Sequence, residues 1–231
     1  MRKAVIQALL MLVALVSSST YAADRYWVGA SGAAWNTTDS WSTSSGGSNG
    51  ASVPGTSDTA IFDSGDTDNC TLTAAVSVTA INMKSGYTGT VDAAGNNITT
   101  SSTVDVTGGT LEIDSSSILA VTGVLTVDGG TLTATDGTID ADSNVIMTAG
   151  TLTAPDGARF TVAGHWSTWA GGTFTHSSGT VTFDGTSTIT TGGIGDGQDF
   201  TNVVLNGTSA TQATNAIDIE NNFTITSATW D

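Results

Sequence analysis

Positive charge is almost missing from this chain. Lysine and arginine together number five in 231 residues, against 21 aspartates and glutamates. A surface so poor in cations has nothing with which to replace phosphate counterions, so nucleic-acid partners and anionic lipid are excluded as expectations. Cysteine is limited to Cys70, so no intrachain disulfide can form, and a small buried hydrophobe is the expected role for it rather than a reactive thiol. Proline occurs twice and aromatic residues make up 6 %. Strong helix formers such as Lys, Arg, Glu and Gln are scarce, whereas Val, Ile, Thr and Phe, which suit pleated surfaces, recur throughout.

Only one long apolar run is present, and it lies at the start. Met1-Arg2-Lys3 is a short positive segment, Ala4 to Val16 is apolar except for Gln7, and Ser17 to Ala23 is a tail of mostly small residues. This order is that of a secretory signal peptide. Thr20 and Ala22 suit the positions before the cut, which places cleavage after Ala22, with Ala23 as the alternative. The run is about 13 residues and a spanning helix needs about 20, so a retained membrane anchor is not expected, and no later stretch is apolar enough to span. Removing residues 1–22 leaves Arg25, Lys84 and Arg159 as the only Lys or Arg residues facing the 21 acids. The expected mature chain is an acidic, secreted or cell-surface protein with no membrane insertion.

What is present is a repeat. Gly89-Thr90-Val91 is followed by Gly109-Thr110-Leu111, Gly130-Thr131-Leu132, Gly150-Thr151-Leu152 and Gly172-Thr173-Phe174, with Gly193-Ile194 as a poorer sixth member. Successive starts differ by 20, 21, 20, 22 and 21 residues. Such a period marks a solenoid. A turn follows about six residues after each start, as at Gly95-Asn96, Asp136-Gly137 and Asp156-Gly157, where Gly, Asn and Asp supply the backbone freedom that corners need. A second apolar point follows at Ile98, Ile118, Ile139, Phe160 and Val181. A third follows at Val104 and Val106, Leu125 and Val127, Val145 and Met147, then Trp166 and Trp169.

Each period therefore holds about three short apolar segments. Alternation, as in Val104-Asp105-Val106, turns one face inward and the other outward. A segment so short cannot bury itself, but stacking it on its copy in the next coil builds a parallel sheet and a continuous core. A coil of about 20 residues at about 3.3 Å each has a perimeter near 65 Å, enough for three walls around a filled interior. An antiparallel sandwich also has short strands, yet gives no reason to repeat one tripeptide at this period. The regular apolar punctuation likewise argues against disorder. The expected architecture is an all-β parallel β-helix of 20–22 residues per coil. Val91, Leu111, Leu132, Leu152 and Phe174 should form one inner column, and Ile98, Ile118, Ile139, Phe160 and Val181 a second.

Residues 23–65 do not follow the repeat. They carry Trp27, Trp35 and Trp41, a Gly/Ser/Asn-rich loop from Thr43 to Ser52, Pro54 and Asp58-Thr59-Ala60-Ile61-Phe62. An open coil end exposes core and unpaired edges, so a cap is required and tryptophan makes a large plug. A sugar-binding aromatic platform is the competing reading of the three tryptophans. The expected division is a signal at 1–22, a Trp-rich cap at 23–65 and the solenoid proper at 66–231. Tyr26-Trp27-Val28-Gly29, Trp35-Asn36 and Trp41-Ser42, followed by Pro54, Asp58 to Phe62 and then Gly-Gly-Thr-Leu coils, resemble the opening of large bacterial extracellular β-helix proteins. Those include autotransporter passengers and adhesin-like surface proteins. The stretch from Val162-Ala163-Gly164-His165-Trp166 to Val181-Thr182-Phe183-Asp184-Gly185 is similar to their coils. The resemblance covers nearly the whole chain after the signal. It implies a right-handed β-helix on or near the cell surface and carries no catalytic residues with it. The abrupt stop at Trp230-Asp231 leads to the expectation of a longer chain.

Candidate chemistry is sparse. His165 and His176 have no Cys or Glu at ligand spacing, so zinc is not expected. Asp66 and Asp68, Asp140 and Asp142, and Asp196 and Asp199 are close acidic pairs on turns that could take calcium, although ordinary solvated turn acids are the preferred reading. Asp140, Asp142, Asp196 and Asp199 are kept as the calcium candidates, and no other cofactor is called for. A lyase would need a cationic group, and the coils offer only Lys84 and Arg159. A glycosidase would need two tuned carboxyls, and Asp140 and Asp142 lack aromatic or basic neighbours in sequence. No catalytic residue is assigned. Trp166 and Trp169 are the candidate carbohydrate-binding residues. The leading expectation is a structural or adhesive rod, with host or matrix glycans or proteins as partners. The alternative is a polysaccharide-binding or polysaccharide-degrading β-helix protein.

Overall fold

The computed structural model describes residues 22–157, 159–168, 171–193, 197–212 and 215–231. Residues 1–21 of the expected signal, Trp169 and Asp196 lie outside them. The described chain is all-β, with one short 3-10 turn at Thr38–Ser40. Its parallel strands stack as a solenoid of about eight turns. At an inter-strand spacing of about 4.8 Å, eight turns make a rod about 40 Å long.

Three walls surround the core. The Gly-Thr-Leu wall stacks Cys70–Thr71, Thr90–Asp92, Thr110–Glu112, then the ends of Leu125–Thr133 and Val145–Thr153, then Gly172–Thr175. Val91, Leu111, Leu132, Leu152 and Phe174 are register partners in one column, and each is at most 1 % exposed. Cys70 extends the column below Val91. Ile194 of the poorer sixth member Gly193-Ile194 lies outside the described residues. On the next coil the Phe174 N–H donates to the carbonyl of Gly197 at 2.8 Å.

The second wall is an eight-stranded sheet from Val76–Val78 to Ile219–Ile225. Here one expectation fails. Leu119, not Ile118, pairs with Ile98 and Ile139, and Ile118 is 39 % exposed. The corner before it contains one residue more than those before Ile98 and Ile139. Ser116 sits there with φ of 75°, and Ser117 turns inward to donate to Asp114 Oδ1 at 2.5 Å. Because side chains alternate with period two, one extra residue exchanges the faces of all that follows until the next corner.

The third wall runs from Asp24–Trp27 through Thr59–Phe62, Ala80–Met83, Val104–Val106 and onward to Thr229–Trp230. It is joined to the first wall by hydrogen bonding. Leu125–Thr133 and Val145–Thr153 are single nine-residue strands that pass the corner through register shifts at Asp128. The three walls therefore form two sheets. The tight passage requires glycine: Gly150 has φ of 79°, and a Cβ there would collide with the Gly130 carbonyl oxygen.

The cap is built onto the coils. Asp24–Trp27 pairs in parallel with Thr59–Phe62, and Ala33–Ala34 with Cys70–Thr71, so hydrogen bonding continues across the expected boundary at residue 65. Trp41–Ser42 then folds antiparallel against Asp24–Trp27 and covers the outer edge of that strand. Trp27, Trp35 and Trp41 are all 0 % exposed and pack with Phe62 in tilted or edge-on contacts at 4.9–5.7 Å. They plug the coil end and present no surface to a sugar.

Candidate functional site

Among the described residues, the solenoid brings one mixed-donor cluster together. Phe174 and Gly197 are hydrogen-bonded neighbours on successive coils, so His176 and Asp199, two residues further along each, arrive at the same corner. The coil after that contributes Glu220 from the Ile219–Ile225 strand, where the register against Phe200–Leu205 shifts. One ligand-type atom from each of His176, Asp199 and Glu220 lies within 4.8 Å of those of the others.

Each side chain is held in place. His176 Nδ1 is hydrogen-bonded with Thr201 Oγ1, which directs Nε2 toward Glu220. His176 Nε2 and Glu220 Oε2 are 3.5 Å apart. Asp199 is only 6 % exposed, and its Oδ1 accepts the backbone N–H groups of Gly197 and Gln198, both at 3.1 Å. The Glu220 side chain is half exposed and forms the open side. The three residues line a cleft of about 310 Å³ whose floor includes Phe174. Imidazole nitrogen and carboxylate oxygen together suit a divalent metal.

The other candidates are dispersed. Asp140 is exposed and accepts from Thr161 Oγ1 at 2.6 Å, and Asp142 is exposed at the next bend. Asp184 lies near enough to feel both. Its carboxyl is raised from its ordinary value, first by partial burial, against its own backbone hydrogen bond, and further by the charges of Asp140 and Asp142. His165 Nδ1 accepts the Thr188 N–H at 2.8 Å, away from His176. Trp166 is 0 % exposed and packs against Phe160, Phe174 and Phe200, so it is a core residue and cannot serve as a carbohydrate platform. Cys70 is buried beneath Val91, and burial followed by the charge of Asp92 raises its thiol well above the ordinary range. The Gly46-Gly47-Ser48-Asn49-Gly50 string has nucleophile-elbow spacing, but it lies in the cap loop with no helix after it.

Sequence reading missed Glu220 and set Asp199 beside Asp196. Short-range spacing along the chain does not reveal the cluster, because in a solenoid neighbours lie one coil apart. Residues 176, 199 and 220 are separated by 23 and 21 positions. A search for His, Asp and Glu at the coil period would have found them.

No family model, curated protein or solved structure matches the chain. Its class is defined by the fold: a parallel β-solenoid. No described helix is long and apolar enough to cross a membrane.

Proposed function

We propose that this chain is a secreted or cell-surface structural and adhesive segment, a stiff rod that presents ordered polar ladders to matrix or host glycans or proteins. The supporting observation is a double column of threonines on the outside of the Gly-Thr-Leu wall. Thr90, Thr110, Thr131, Thr151 and Thr173 are register partners on five successive coils. Beside them stand Thr133, Thr153 and Thr175, with Glu112 and Asp92 continuing the second column below. Hydroxyls set about 4.8 Å apart along a rigid sheet offer the same contact many times with little backbone ordering cost. Such weak contacts add through multivalency without a deep pocket. No catalytic step belongs to this reading.

The test is binding to a panel of immobilised matrix polysaccharides and proteins, with the chain either free or displayed densely on beads. At least one surface should retain the beads and hold the free chain far more weakly. Replacing Thr131, Thr151 and Thr173 together with alanine should abolish retention while the circular dichroism spectrum stays unchanged. Retention that survives the triple replacement, or no retention across the panel, would overturn the proposal.

A further inference from the structure

We infer that His176, Asp199 and Glu220 bind one divalent d-block cation of the zinc type, which ties three successive coils together. The donor set decides the class of ion. Calcium and magnesium take oxygen ligands, six or more of them, and an imidazole nitrogen is a poor partner for either. One imidazole and two carboxylates instead suit zinc and its neighbours.

Geometry agrees. Two ligands about 2.05 Å from a tetrahedral zinc stand about 3.4 Å apart. His176 Nε2 and Glu220 Oε2 are already 3.5 Å apart. The remaining closure falls on Asp199, one carboxylate oxygen of which lies within 4.8 Å of a ligand-type atom of each of the other two residues.

The surroundings are those of a built site. In the metal-bound form Thr201 Oγ1 accepts the His176 Nδ1 proton and fixes the tautomer that leaves the Nε2 lone pair for the ion. Two backbone N–H groups orient the buried Asp199 carboxylate. Glu220, the exposed member, closes over the ion from the third coil. Three protein ligands leave the fourth position open to the cleft, where water or a donor from a partner can enter.

The ion would act as a clamp. The Ile219–Ile225 strand is poorly buried, with Phe223 42 % and Ile225 48 % exposed. Glu220 belongs to that strand, so a metal shared with His176 and Asp199 would fasten it to the two coils before it. A cation that binds only the folded chain stabilises it by mass action.

The experiment is calorimetric titration of the full chain, stripped with chelator, using Zn²⁺, Co²⁺ and Ca²⁺ separately. One equivalent of Zn²⁺ should bind and raise the melting temperature. Co²⁺ should bind with the visible absorption of a four-coordinate site. His176→Ala and Glu220→Gln should remove binding, and Thr201→Val should weaken it about 10-fold or more. His165→Ala should leave it unchanged. Glu220 is exposed, so Glu220→Gln keeps the test valid even if another variant fails to fold. The inference is overturned if Zn²⁺ shows no saturable binding, if His176→Ala and Glu220→Gln bind as tightly as the wild type, or if Ca²⁺ binds there in preference to Zn²⁺.

Discussion

Leu132 stands directly over Leu111, residue for residue across the parallel ladder, and neither side chain has any solvent exposure. The same column continues to Leu152 and Phe174 on one side and Val91 and Cys70 on the other. Each member is both a wall and a filling. Leu132→Ala should therefore cost about 2–5 kcal/mol, because neighbouring coils cannot collapse into the gap without breaking register. Leu132→Asp should do more and unravel several coils, since its charge cannot be hydrated there. Denaturant unfolding monitored by circular dichroism would measure both. A loss below 1 kcal/mol for alanine would contradict a packed column.

Ile118 and Leu119 make a sharper comparison, being adjacent and of equal size. Leu119 is 0 % exposed and Ile118 39 %. Ile118→Asp should change stability by no more than about 0.5 kcal/mol, whereas Leu119→Asp should prevent folding. Thermal unfolding of the two variants decides which residue faces the core. The reverse order would show the coil to be shifted by one residue.

Cys70 offers a native reporter. It is fully buried and its thiol is raised, first by desolvation and then by Asp92, so almost no thiolate exists in the folded state. A thiol-specific aromatic disulfide should label it only after the first coils open. Labelling should accelerate with denaturant in step with loss of Trp27, Trp35 and Trp41 fluorescence shielding. Rapid labelling of the native chain would contradict the burial.

Asp184 should make the rod slightly less stable at neutral pH. Its folded-state pKa is raised above 3.8, so the folded chain holds this proton more tightly than the unfolded chain does. The penalty is fully present above the raised value, shrinks as pH falls through it, and vanishes below 3.8. Asp184→Asn should raise the melting temperature by about a degree or two at pH 7, the effect being small because the group is largely solvated. The two proteins should converge below pH 4. A lower melting temperature for the variant at pH 7 would refute the sign.

The coil period, the parallel stacking and the column from Val91 to Phe174 were legible in the sequence because they depend on local properties. Strand alternation decides which residues point inward, and a repeated tripeptide decides what stacks on what. Tertiary structure alone decided the rest, because corner length is not local in its effect. One extra corner residue turned Ile118 outward and Leu119 inward, though the two are chemically alike. The Asp128 register shift fused two expected walls into one sheet. Trp166, readable as either a core residue or a sugar platform, was placed in the core by Phe160, Phe174 and Phe200 closing around it. His176, Asp199 and Glu220 met for the same reason. Lateral contacts in a solenoid join residues a whole coil apart, and which ones coincide depends on the summed lengths of every corner between them.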